Sequence, residues 1–188
     1  ESMAVCDIDE DVVTLGAEAA WNLLHRAGIK PDELGRIYLG TESSVDAAKP
    51  SATYIHGLLE QRWAAEHGPR ALAHCDALDM TFACVGGVDA LQNSLDWVRA
   101  GQGRKALVVA SDVAKYAPGS PGEYTQGAGA VAMLVTESPR ILAIDTDFAV
   151  AVESVSDFFK PRRSFSKRAL LQEAAALLGT TLSDEEAE

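Results

Sequence analysis

The chain has 188 residues, enough for one domain or for one half of a larger pseudo-symmetric unit, and its 47% hydrophobic content is ample for a core. A formal net charge of −12 and a pI near 4.7 argue against nucleic acid or anionic membranes as partners. No apolar run reaches the roughly 20 residues needed to cross a bilayer, no secretory signal is visible, and the three cysteines (6, 75 and 84) are odd in number and unpatterned. That set fits a reducing cytoplasm better than a disulfide framework.

Residues 10–27 read as a helix, because Val12, Leu15, Ala19, Leu23 and Ala27 recur at helical spacing; Gly28 and Pro31 end it. RIYLG (36–40) is a short β-rich run that leads into the polar loop TESSVDAAKP and then a helix from about residue 50 to 66. ALDMTFACVGGVDALQNSLDWVRAG (77–101) reads as a strand, a cysteine, two glycines and an amphipathic helix. ALVVAS (106–111) is a continuous apolar run, as expected of a strand buried on both faces. A loop rich in Gly and Pro follows at 115–129. GAVAMLVT and RILAIDT then read as two strands joined at Ser138 and Pro139. This alternation predicts an α/β fold with a mixed, mostly buried sheet. Beyond it, Lys160, Arg162, Arg163, Lys167 and Arg168 form a basic cluster, residues 167–178 suit a helix, and the end is acidic. The basic cluster fits a solvated face or a contact for an anionic phosphate.

Cys84 is the first candidate for chemistry. A thiol at a helix N-terminus feels the positive end of the backbone dipole, which favours the nucleophilic thiolate. Gly86 and Gly87 read as room for a large substrate to approach the backbone. The competing reading is a small core cysteine. Glu42 is the second candidate, since strand ends in α/β sheets are where ligands sit. A partly buried glutamate there could serve as a general base. On position alone a solvated loop carboxylate describes it better. The 115–129 loop is the third, with Tyr116 and Thr125 offering hydroxyls; it reads equally as an ordinary long connection. Glycine spacings fit neither a dinucleotide fingerprint nor a P-loop. His25, His56, His67 and His74 lack paired ligand spacing and no CxxC is present, so no metal is expected.

Taken together, GTESSVDAAKPSATYIHGLL, TFACVGGVDALQNSLDWVRAG, ALVVASDVAKYAPGSPGEYTQGAGAVAMLV and DFFKP resemble the hydroxymethylglutaryl-CoA synthase family in a bacterial or archaeal form. The similarity runs in order from about residue 3 to about residue 161. It implies a thiolase-like N-terminal half over residues 1–161, with a five-stranded sheet and flanking helices, followed by a basic segment, short helix and acidic tail over 162–188. It also implies a transferase that condenses acetyl-CoA with acetoacetyl-CoA. Cys84 would carry the acetyl group as a thioester, and Glu42 would remove a proton from its methyl. Thr125 would contact the acyl portion, and Tyr116 lies on the same acyl-pocket loop. Coenzyme A thioesters enter as substrates and no resident cofactor is implied. Family members pair as homodimers through this half, so self-association, or a complex with a chain supplying the second half, is expected. Two departures stand out. Family members begin earlier, with a strand and a loop absent here, and they continue into a second half that brings a catalytic histidine. No motif of that half appears in residues 162–188. The resemblance also leaves room for a synthase acting on carrier-protein-bound acetoacetyl groups, or for a noncatalytic scaffold subunit. Retention of both Glu42 and Cys84 speaks against the scaffold.

Overall fold

A computed structural model describes residues 3–101, 103–155 and 166–181. The chain divides into two units, Glu1–Ala143 and Ile144–Glu188. Among its described residues the first holds three α-helices and a sheet. Helix α1 (Val12–Ala27) is started by Asp11, whose Oδ1 accepts the N–H groups of Val13 at 2.9 Å and Thr14 at 2.8 Å. Thr14 Oγ1 accepts the Asp11 N–H in return, completing a reciprocal cap. Gly28 ends the helix in the left-handed region, at φ 64°.

Strand β1 (Leu34–Gly40), helix α2 (Ser51–His67), strand β2 (Asp76–Met80), helix α3 (Gly86–Arg99), strand β3 (Lys105–Ala114) and strand β4 (Gly127–Val135) follow. The sheet order is β2-β1-β3-β4; β1 runs parallel to both β2 and β3, and β4 is antiparallel to β3. Alternate residues of the central strands feed two separate cores. Ile37, Leu39, Leu107 and Val109 pack under α1 and α2, while Tyr38, Ala106 and Val108 pack under α3. That is why ALVVAS, and Ile37 to Leu39 of RIYLG, are apolar without alternation: both faces are covered.

Two expectations need correction. Among the described residues the sheet has four strands, not five. RILAIDT (140–146) forms no strand; Ile141 is 96% exposed and Leu142 69%. Apolar composition is not enough, because an extended segment needs a neighbouring strand to take its backbone hydrogen bonds. Both edges of β3 are taken, by β1 and by β4, and none of the four strands pairs with this segment. Burial is also less general than expected: it is concentrated in β1 and β3, whereas the outer strands β2 and β4 are largely half-exposed.

The glycines after Cys84 allow close packing of backbone on backbone. A Cβ on Gly40 would overlap the backbone of Gly86 and Gly87, and a Cβ on Gly86 would overlap the Met80 carbonyl oxygen. The start of α3 therefore rests directly on the ends of β1 and β2.

In the second unit, helix α4 (Lys167–Leu177) begins where Ser166 Oγ accepts the Ala169 N–H at 3.3 Å. Lys167 and Arg168 are exposed on its first turn. Lys160, Arg162 and Arg163 lie outside the described residues, as do the DFFKP block and the expected boundary between 161 and 162. No described helix is long and apolar enough to cross a membrane.

Gly40→Ala is expected to destabilise the fold by about 1–3 kcal/mol in denaturant unfolding, because backbone atoms cannot move aside as a flexible side chain would. At the opposite end of the sheet, Lys105 on β3 donates a hydrogen bond to Glu33 beside β1 and holds its carboxyl below the ordinary value of 4.5, helped by the Lys30 N–H. A lowered carboxyl stabilises the fold fully above its unfolded value, and this support is lost as pH falls through the folded one. Glu33→Gln is expected to flatten the acid limb of stability against pH below about 4.5 and to leave the shape above it unchanged.

Candidate functional site

The site lies where the parallel strands end. Gly40 is level with Met80 on β2 and with Ala110 on β3. The Thr41 N–H donates to the Met80 carbonyl at 3.2 Å, so β1 and β2 stay joined one residue past the strand. From there β2 runs into Ala83, which adopts φ 41°, a left-handed conformation that L-residues with a Cβ rarely take. Such backbone costs on the order of 1–3 kcal/mol and concentrates at functional sites. It turns the chain sharply and sets Cys84 in a 3₁₀ turn (Ala83–Val85) immediately before α3. The thiol is exposed and, among the described residues, makes no hydrogen bond.

Glu42 follows the end of β1 and is half-buried. Its backbone is fixed by Asp112 on β3, a residue the sequence reading missed. Asp112 Oδ1 accepts the Glu42 N–H at 2.7 Å, the Thr41 hydroxyl at 2.9 Å and the Ser43 hydroxyl at 3.0 Å. Thr41 Oγ1 in turn accepts the Ser43 N–H at 3.0 Å, and Ser43 Oγ accepts the Val113 N–H at 3.2 Å. Both hydroxyls of this knot have partners, as they must where Thr41 is fully buried. A polar triplet directly after an apolar strand was a visible signal. Its partner some 70 residues later was not.

Tyr116 meets Glu42 directly. Its hydroxyl donates to the carboxylate, 2.9 Å from Oε1 and 3.3 Å from Oε2. The ring is held against Gly122, where a Cβ would collide with it. Thr125 sits on the same β3–β4 loop, exposed, with its hydroxyl donating to the Gly122 carbonyl at 2.8 Å. Of the four predicted site residues, then, Glu42 and Tyr116 touch, while Cys84 and Thr125 belong to the same strand-end region through the elements that carry them. An open cleft of about 620 Å³, partly lined by Ser43, Lys115 and Gln126, adjoins the Asp112 knot.

The cysteines differ in setting. Cys75 precedes β2 at the far end of the sheet, and burial pushes its thiol up to about 12. That group stays protonated and inert. Among the described residues no group of three or more His, Cys, Asp or Glu is arranged to hold a metal ion. His25 stacks on Trp21, and His56 Nε2 hydrogen-bonds the Leu72 carbonyl at 2.9 Å.

Residues 1–139 match the family model described as hydroxymethylglutaryl-coenzyme A synthase N terminal. The hydroxymethylglutaryl-CoA synthase of Haloferax volcanii is 43% identical over 161 residues, which is 85% of this chain and 35% of the relative. That of Enterococcus faecalis is 38% identical, covering 86% and 39%. A solved structure of MvaS in complex with 3-hydroxy-3-methylglutaryl coenzyme A superposes with a TM-score of 0.74 at 34% identity, over 97% of this chain and 46% of that one. The chain thus spans about a third to two-fifths of the length of these curated relatives. With the strand-end cysteine and glutamate in place and the similarity running through the whole first unit, the chain belongs to the hydroxymethylglutaryl-CoA synthase family.

Proposed function

We propose that the protein acts as a hydroxymethylglutaryl-CoA synthase, an acyltransferase that joins acetyl-CoA to acetoacetyl-CoA through an acetyl-cysteine thioester. The observation that carries this reading is the placement of Glu42 and Cys84 after the adjoining ends of β1 and β2, each held by backbone packing rather than by a flexible linker. Cys84 attacks the acetyl carbonyl as thiolate, and coenzyme A leaves as its thiol. The new thioester acidifies the methyl hydrogens, and the Glu42 carboxylate takes one of them. The enolate carbon bonds to the ketone carbon of acetoacetyl-CoA, and the ketone oxygen gains a proton. Water then cleaves the thioester, freeing the product and restoring the Cys84 thiol. The Cys84 N–H at the helix start serves as one donor to the enolate oxygen.

Tyr116 gains a second role beside the acyl pocket. By donating to Glu42 it aims the carboxylate and limits its rotation. Thr125 contributes its hydroxyl oxygen to the acyl portion. The proton for the ketone oxygen and further CoA contacts fall to the second half that the family carries, on the same or a partner chain. No resident cofactor takes part, and a reducing cytoplasm suits a mechanism that needs a free thiol. Self-association through the β2 edge is supported by exposed Leu78, Phe82, Val85 and Val88 along that strand and the start of α3.

Incubating the intact protein with acetyl-CoA is expected to leave an acetyl adduct on the Cys84 peptide in mass spectrometry, with none on Cys75; Cys84→Ala should abolish it. An unlabelled Cys84 would refute the covalent mechanism. Glu42→Gln is expected to slow condensation with acetoacetyl-CoA by about 10²–10⁴-fold. Tyr116→Phe should cost less, about tenfold, because the carboxylate remains but is less well oriented. Equal rates in both variants and wild type would remove Glu42 from the reaction.

A further inference from the structure

Asp79 lies on β2, paired with Leu39 of β1 and five residues before Cys84. Among the described residues its carboxylate makes no ion pair. Oδ2 accepts the Ser51 N–H at 2.6 Å and Oδ1 accepts the Ala52 N–H at 2.8 Å. These are the first two N–H groups of α2, which would otherwise lack a partner. The residue before them is Pro50, and no side chain of the helix's own start caps it. The cap therefore comes from another strand, and it anchors a helix that begins with two fully buried residues.

Capping is only part of what the contact does. Ser51, once fixed, uses its own Oγ to accept the Val45 N–H at 3.1 Å. At its other end the same loop is tied to the Met80 carbonyl through the Thr41 N–H. The segment carrying Glu42 is thus held at both ends by consecutive residues of β2. That strand, four residues further on, delivers Cys84. Asp112 fixes the loop to β3, whereas Asp79, through Ser51, and Met80 fix it to the strand that leads to the nucleophile.

We infer that Asp79 is a positioning residue for the Glu42-dependent step: it holds the base-bearing loop in register with the cysteine without touching substrate. The inference rests on the proposed synthase activity. A small displacement between a base and the bond it must break costs far more rate than stability. Attack by Cys84 on acetyl-CoA does not depend on where Glu42 sits, so the two steps should separate.

The test measures both steps in the intact protein, acetylation of Cys84 by acetyl-CoA and condensation of the acetylated form with acetoacetyl-CoA. Asp79→Ala is expected to keep acetylation within about twofold of wild type and to slow condensation about tenfold or more. Asp79→Asn retains one acceptor oxygen and the shape of the side chain, and should fall between the two. It also supplies the measurement if the alanine variant does not fold. Condensation at the wild-type rate, or both steps falling in the same proportion, would overturn the inference and leave Asp79 as a structural cap. Failure of wild-type Cys84 to acetylate is a different outcome: it would overturn the synthase reading, and the inference with it.

Discussion

Gly40 meets the backbone of Gly86 and Gly87 with no side chain between them, and a methyl group there would collide with main-chain atoms. Much of the site follows from that contact. It presses the first turn of α3 onto the end of β1, while the Met80 carbonyl closes over Gly86 from the side. Cys84 precedes the contact by two residues and Glu42 follows it by two. Neither side chain can drift far, because the backbone on each side is packed or hydrogen-bonded. The left-handed turn at Ala83 belongs to the same geometry, since it lets the chain leave a parallel strand and enter a helix within a few residues.

A carboxylate proposed as a base has to be held in place. In this fold the holding is done from the backbone side. Asp112 takes three donors from the Thr41–Glu42–Ser43 turn on one oxygen, leaving the Glu42 side chain to meet Tyr116. The strands beneath are buried on both faces, so a polar knot at their ends is tolerated only because its members satisfy one another. The contrast with Cys75 makes the same point about thiols. Cys75 sits where burial suppresses ionisation, whereas Cys84 sits exposed at a strand end and a helix start.

Some of this was legible from residue order. Helical spacing from Val12 to Ala27 and the Gly28 stop located α1, the short β-rich run RIYLG located β1, and the unbroken apolar run ALVVAS located β3, because two-sided burial leaves that last trace in a sequence. The strand–cysteine–helix setting of Cys84 was also readable. RILAIDT misled for a physical reason: strand composition reports a preference, while a strand exists only beside a partner edge. Gly86 and Gly87 were legible only in part. Their lack of side chains was clear, but what packs against them, here Gly40 and Met80, depends on residues 46 to 47 positions and six to seven positions upstream respectively. Asp112 and Asp79 were invisible because their partners are distant in sequence and nothing periodic links them.

The central claim is that the thiol of Cys84 and the carboxylate of Glu42 share one reaction volume. A crystal structure of the intact protein, trapped with an acetyl group on Cys84, tests it most directly. The expected result is the acetyl methyl carbon about 3–3.5 Å from a Glu42 carboxylate oxygen, with the Tyr116 hydroxyl on that same carboxylate. An acetyl group pointing away from Glu42, with the two side chains opening to different sides of the sheet, would contradict it.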